Sequence, residues 1–226
     1  MSNFQRARSD EQKAQRMDEI KKVASSLFKK HPYHEITLST IGEGLGWSRA
    51  NMYKYVTSKE EIFLQLAADA RDAYFSALVG AFKGKNNFTK QEVSKKWASV
   101  ANNNRGWAIY GSILISIIET NVTLERLKQF KREYYNWVDV LTEKVAPKIG
   151  VPTSSFQAFL NTIHYHEVGL SGFCTMNPLA KQAIKELGVA RASLDFETEM
   201  QKFVLMCLEG YRCKQIVQSQ HQTQTT

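Results

Sequence analysis

Apolar residues recur at three- and four-residue steps through almost the whole chain, and nowhere do they alternate over a span that would make a strand. Met17, Ile20, Ala24, Leu27 and Phe28 form one such stripe, with Lys21, Lys22, Lys29 and Lys30 on the other faces, which predicts an amphipathic helix from about Asp10 to Lys30. The pattern resumes in a short helix with Leu38, Ile41 and Leu45, a turn at Gly46 and Trp47, a second short helix with Ala50, Met52 and Val56, and a longer one with Ile62, Leu66, Ala70 and Ala73. Further helices are predicted over 93–100 and 107–118, and a long one places Leu124, Leu127, Phe130, Tyr134, Val138, Leu141 and Val145 inward. Phe156, Phe159, Leu160, Ile163 and Phe173 mark another, and the last carries Phe196, Met200, Phe203, Val204, Cys207, Leu208 and Tyr211. The four prolines, Pro32, Pro147, Pro152 and Pro178, read as punctuation between helices. The chain is expected to be all-α with about nine helices, and 218–226, rich in Gln and Thr, to be a disordered polar tail.

With 226 residues, 43% of them hydrophobic, the chain has material for a proper core, and its +8 net charge belongs to a folded basic protein rather than a disordered polycation. That balance favours an anionic partner without deciding it. Cys174, Cys207 and Cys213 are odd in number and lack metal-ligand spacing, so they read as reduced. The first thirty residues have no apolar core of a signal peptide, and the longest apolar run, Ala108–Ile118, falls far short of the ~20 residues that span a bilayer; the expected location is the cytoplasm, with no membrane partner. His164 and His166, two residues apart on a helix, point in different directions and do not converge on one ion, so no metal is expected. No phosphate loop, nucleophile elbow or His-Glu-Xaa-Xaa-His occurs; no catalytic residue, enzyme activity or cofactor is expected.

Two short helices joined by a tight turn at Gly46, the second opening on polar and basic residues, form a helix-turn-helix, whose second helix can lie in the DNA major groove. Thr37 and Ser48 stand where hydroxyls cap the two helices, leaving amides and a positive dipole end for phosphate. Arg49 carries a forked donor suited to guanine, and Asn51 can read adenine or bind phosphate. Tyr53, Lys54 and Tyr55 have polar tips suited to the sugar-phosphate backbone, Lys59 adds a cation at a helix start, and Ser39 and Thr40 are further candidate contacts.

Over about Arg16 to Leu66 the chain closely resembles the TetR family of bacterial transcriptional regulators. The likeness rests on Thr37 opening the second helix, Ile41 within it, Gly46 in the turn, Ser48 opening the third, Tyr53 and Tyr55 inside the third, and Ser58-Lys59-Glu60 starting the fourth. It departs at Glu35, where glycine is frequent, at Gly42, where alanine is usual, at Trp47, where a small aliphatic is usual, and at Val56, where phenylalanine is usual. Gly42 and Gly44 each cost about 1 kcal/mol against alanine in a helix interior.

The resemblance implies a DNA-binding domain over 1–60, a helical effector-binding and dimerisation domain over 61–217, and a homodimer on a palindromic operator of double-stranded DNA, released as a repressor by a small-molecule effector. Candidate pocket residues are Trp107, Tyr110, Ile117, Phe130, Tyr134, Trp137, Asn161 and His164, with Glu119, His166 and Glu167 as further polar groups in apolar helices; ordinary core packing explains the aromatic set equally well. Candidate interface helices are 156–176 and 196–217, through Phe159, Ile163, Met200, Phe203 and Cys207. The rival readings are a TetR-like protein acting through a protein partner, and an all-α enzyme using the aromatic cavity.

Overall fold

A computed structural model of the chain describes residues 10–175, 178–190 and 194–222. The helices among them are α1 (Asp10–Phe28), α2 (Leu38–Leu45), α3 (Arg49–Met52), α4 (Lys59–Ala81), α5 (Lys90–Asn103), α6 (Gly106–Ile113), α7 (Leu124–Lys144), α8 (Ala146–Ile149), α9 (Thr153–Cys174), α10 (Pro178–Glu186) and α11 (Phe196–Gln222). A 3-10 turn, Tyr33–Glu35, precedes α2, and a π turn, Leu114–Ile118, follows α6. The described residues contain no strand.

Two helices go beyond the nine that periodicity predicts, and both carry in their first turn a proline that reads as a break. Pro147 sits in the first turn of α8 and Pro178 is the first residue of α10. The first turn of a helix needs no amide donor, so proline starts a helix there. The helix predicted over 107–118 divides after Ile113, where the Glu119 amide reaches back five residues to the Leu114 carbonyl at 2.9 Å. α11 runs to Gln222, into the segment expected as a tail; 223–226, Met176 and the side chain of Cys213 lie outside the described residues.

The chain forms two compact units. One ends at Asp69 and also takes in Ile113–Phe130; the other is Ala70–Ser112 with the chain from Lys131 onward. The expected boundary at 60 and 61 falls in the first turn of α4, which runs as one helix to Ala81.

In the first unit, Ile20 and Ala24 of α1, Ile36, Ile41 of α2, Met52 of α3, and Ile62 and Phe63 of α4 are fully or almost fully buried. Phe28, Tyr33 and Phe63 meet edge to face, with centroids 5.0 to 6.2 Å apart. Gly42 and Gly44 are the price of close packing. A Cβ on Gly42 would lie 2.9 Å from the Trp47 carbonyl oxygen and 3.2 Å from Met52 Cγ, and one on Gly44 would lie 2.6 Å from Val23 Cγ1. Without side chains there, α1 and the turn after α2 close directly onto α2.

In the second unit α11 packs against α5 and α9. Trp97 is fully buried, its indole N–H donating to the Tyr74 hydroxyl at 2.9 Å while Phe159 meets its ring edge-on at 5.4 Å. Long cations hold the joints. Arg212 donates to the carbonyls of Ile149 at 2.7 Å and Phe88 at 3.1 Å, and Lys148 donates to that of Phe82 at 2.9 Å. α5 starts on a reciprocal cap between Thr89 and Glu92, and hydrogen bonds from Lys85 and Thr89 hold the Glu92 carboxyl down to about 2.

Gly42→Ala is expected to destabilise the protein by about 1–3 kcal/mol, because a backbone oxygen cannot step aside as a side-chain tip can. Gly80→Ala in α4, with nothing within 4 Å of the new Cβ, is expected to be neutral or to stabilise by up to about 1 kcal/mol. Urea unfolding of the two variants gives the comparison; stabilisation of both by a similar amount would show that propensity rather than close approach governs position 42.

Candidate functional site

The reading head begins with two capped helices. The Thr37 hydroxyl accepts from the Thr40 amide at 3.1 Å while Thr40 Oγ1 accepts from the Thr37 amide at 2.9 Å, and Ser48 Oγ accepts from the Asn51 amide at 3.3 Å. Between them Gly46 sits at φ 68°, the left-handed conformation that ends α2. α3 is short. After Met52 the chain tightens into three-residue steps, the Lys54 amide bonding to the Asn51 carbonyl and that of Tyr55 to Met52, so Tyr53, Lys54 and Tyr55 occupy the turn beyond the helix rather than the helix itself.

Arg49, Tyr53 and Lys54 are exposed, as are Thr37 and Ser48, while Ser39, Thr40 and Tyr55 are half-buried. Arg49 Nε and Nη2 donate to the Tyr53 hydroxyl at 3.3 and 2.9 Å, which fixes the guanidinium one helical turn from the ring and leaves its other donors pointing outward. Tyr55 packs on Trp47 at 5.4 Å, and the Arg16 guanidinium lies 5.7 Å from the Trp47 centroid. The aliphatic-to-tryptophan change at 47 thus supplies a platform for Tyr55.

Two expected contacts turn inward. Lys59 Nζ donates to the carbonyls of Tyr33 at 2.9 Å and Ile36 at 2.7 Å and lies 4.1 Å from the Tyr33 centroid, with burial lowering its pKa. It ties the 3-10 turn to the start of α4. Asn51 is 5% exposed and its amide group has no hydrogen-bond partner, so it is covered by the unit rather than presented to a base. Lys59→Ala is expected to lower the stability of the protein by about 1–3 kcal/mol, since two carbonyls lose a charged donor. The check is thermal melting beside the salt dependence of DNA affinity; a lost counterion with unchanged melting would return Lys59 to the phosphate role.

The second unit contains a small cavity of about 10 Å³, room for a single water. Tyr74 and Phe75 of α4, Trp107 of α6, Tyr134 of α7, and Leu160, Ile163, His164 and Glu167 of α9 line it. Of the expected pocket residues, Trp107, Tyr134 and His164 meet here, Trp107 stacking on His164 at 4.7 Å, and Asn161 accepts from the Tyr134 hydroxyl at 3.1 Å. Phe75 joins them, its centroid 6.0 to 6.2 Å from those of Trp107, Tyr134 and Trp137. Tyr110 is buried but does not line the cavity, and Ile117 and Phe130 belong to the other unit. Trp137 instead donates to Asp72 at 2.8 Å, on a wide groove of about 370 Å³ whose buried Arg71 is already paired with Asp72 at 2.9 Å and Glu133 at 3.0 Å.

Glu167 is the unusual group. It is fully buried, neither carboxyl oxygen has a well-aligned hydrogen bond although the Tyr74 hydroxyl faces it, and His164 Nδ1 is 4.0 Å from Oε2. Burial pushes its pKa up to about 8 and that of His164 down to about 4, so both are neutral at pH 7. Among the described residues no group of three His, Cys, Asp or Glu side chains is placed to hold a metal ion. No described helix is long and apolar enough to cross a membrane.

Of the expected interface residues, Phe159, Ile163, Met200 and Cys207 are buried within the chain, and Ile163 lines the cavity. Only Phe203 reaches the surface, half-buried and stacked on His166 at 3.7 Å. Among the described side chains, the large apolar residues that α9 and α11 expose are Tyr165, Phe173 and Met206.

Residues 20–66 match the family described as bacterial regulatory proteins, tetR family, and residues 68–215 match the tetracyclin repressor-like C-terminal domain. The chain belongs to the TetR family. Its fold recurs in a TetR/AcrR-family transcriptional regulator from Thermobifida fusca, at 16% identity over 88% of this chain and 99% of that one, with a TM-score of 0.55. It recurs also in the fatty acid degradation regulator FadR from Bacillus halodurans, at 14% identity over 87% and 96% of the two chains, with a TM-score of 0.56. No curated protein matches the sequence. Family and fold are those of DNA-binding transcriptional regulators and not of enzymes.

The buried pair gives this TetR-family chain a definite pH signature. The folded chain holds the Glu167 proton between the ordinary 4.5 and about 8, so stability falls as pH rises through that window. It refuses the His164 proton between 6.5 and about 4, so stability falls as pH drops there, and the two trends oppose each other below 6.5. From pH 6.5 to 8 Glu167 acts alone. The wild type is expected to lose up to about 1.4 kcal/mol per pH unit relative to Glu167→Gln. Urea unfolding of both proteins across that range measures it; parallel curves would mean that Glu167 is ionised in the folded protein.

Proposed function

We propose that the protein is a homodimeric repressor that binds a palindromic operator through Arg49, Tyr53, Lys54 and the capped starts of α2 and α3, and leaves it when a small molecule occupies the cavity at Glu167. The observation that carries the reading is the ordered reading head. Two helix starts with exposed caps, an outward guanidinium held by Tyr53, and Lys54 beside it form a set of donors for phosphates and one base edge. One head reads a short half-site, and a two-fold partner doubles the contact. The exposed Tyr165, Phe173 and Met206 supply the apolar face for that partner on α9 and α11.

Release needs an effector that favours the DNA-incompetent form by several kcal/mol, since equal affinity for both forms shifts nothing. The chain passes directly from α6, which supplies Trp107 to the cavity wall, through the π turn into the segment Ile113–Phe130 of the DNA-binding unit. That covalent path is the connection on which the release reading rests.

Affinity for singly substituted palindromes, with half-sites about one helical turn or ~34–36 Å apart, tests the proposal. Arg49→Ala is expected to cost about 1–3 kcal/mol and to relax preference at one base pair per half-site. Because Arg49 and Tyr53 hold each other, Tyr53→Phe is expected to cost less in the Arg49→Ala background than alone. Phe173→Asp with Met206→Asp is expected to give a folded monomer with no operator affinity. A wild-type protein that binds no palindrome specifically, or binds it tightly as a monomer, would overturn the reading.

A further inference from the structure

The cavity wall and the group at its centre are chemically mismatched. Tyr74, Phe75, Trp107 and Tyr134 surround it with aromatic surface, and into that surface α9 places a carboxyl whose two oxygens have no well-aligned hydrogen bond in a residue with no exposed area. A buried polar group without a partner costs free energy that an apolar residue of the same size would not, so its presence calls for a ligand or water that completes it. The groups facing it compensate it only in part. His164, on the same helix, stands 4.0 Å away with Nδ1 unpartnered; the Tyr74 hydroxyl from α4 accepts from Trp97 and turns its own proton to the carboxyl, which works against the upward shift from burial. The Arg105 guanidinium, in the turn between α5 and α6, lies 4.2 Å from the Phe196 centroid and makes no hydrogen bond to the carboxyl, although its charge favours the ionised form.

We propose that this cavity takes a small lipophilic amine bound as its ammonium ion, with the Glu167 carboxylate as counter-ion and the rings of Phe75, Trp107 and Tyr134 around it. The proposal rests on the effector reading of this cavity given above. Aromatic faces attract cations, most strongly where water is excluded, and a carboxylate among them selects positive charge over a neutral or anionic ligand of the same shape. A bare metal ion is not served, since no cluster of three ligating side chains surrounds the carboxyl among the described residues. The present volume of about 10 Å³ holds one water, so the rings part to admit the ligand. Entry ionises Glu167. Its carboxyl, raised to about 8 by burial, is protonated in the free protein at pH 7 and gives up that proton to pair with the ammonium. Of the other titrating groups that face the cavity, His164 is lowered to about 4 and Tyr74 and Tyr134 are raised, so none of them titrates between pH 7 and 8.

Three ligands of one skeleton decide it: 4-phenylbutylamine, 4-phenylbutan-1-ol and 4-phenylbutyrate, titrated calorimetrically into the full-length protein in two buffers of different ionisation enthalpy. The amine is expected to bind about tenfold or more tightly than either analogue at pH 7, to release close to one proton per site, and to gain affinity toward pH 8. In Glu167→Gln the amine and the alcohol are expected to bind alike, with no proton released. Equal or tighter binding of the alcohol or butyrate, a preference that survives Glu167→Gln, or binding of none of the three overturns the proposal. Proton release is read on the wild type, so the test does not hang on the variant's folding. DNA is absent from these titrations: an amine preference without operator release sinks the effector reading alone, and operator release by a ligand of another charge sinks this one.

Discussion

A chain built from helices alone must find partners for the carbonyls left open at every helix end and in every connection, and in this protein long cations supply them from a distance. Lys59 answers the carbonyls of Tyr33 and Ile36, Lys148 that of Phe82, and Arg212 those of Ile149 and Phe88. Each of these bonds crosses between elements that sequence keeps apart, so each fixes a joint and not a helix. The local caps do the complementary work, with Thr37, Ser48 and Thr89 closing the amide ends of their own helices. Together they explain why α3, a single turn, holds its place: its start is capped by Ser48, and the unit around it is stapled by Lys59.

The division between local and distant bonds also marks what the sequence discloses. The helix-turn-helix is legible because its determinants sit within a few residues of each other: Thr37 and Thr40, Gly46 at the turn, Ser48 and Asn51. Lys59 is misleading for the same reason. A lysine at a helix start reads as a phosphate contact until the fold brings the Tyr33 and Ile36 carbonyls beneath it, 26 and 23 residues away. Asn51 reads as a base contact until α3 is seen to turn it inward. Gly42 and Gly44 look like a loss of helix propensity, and only the approach of Trp47, Met52 and Val23 shows what their missing side chains permit.

In the second unit the legible part is the set of large rings and buried polar groups, because Trp107, Tyr134, Asn161 and His164 stand out within apolar stripes. Tyr74 and Phe75 are missed because the stripe of α4 can be followed through its alanines instead. Phe159, Ile163, Met200 and Cys207 show the limit of periodicity: α9 and α11 are apolar on more than one face, and a stripe does not say which face turns inward. Their burial leaves Tyr165, Phe173 and Met206 on the outside.

The π turn after α6 has a consequence for comparing this chain with its relatives. It holds one residue more than an α turn, and each residue of an α-helix rotates the chain by about 100°. A homologue shorter by one residue between Leu114 and Ile118 would close the same turn in α geometry, and the chain beyond it would keep its phase. A single-residue gap at this place is therefore absorbed by the turn, whereas a gap aligned elsewhere in the segment would pair side chains from different faces.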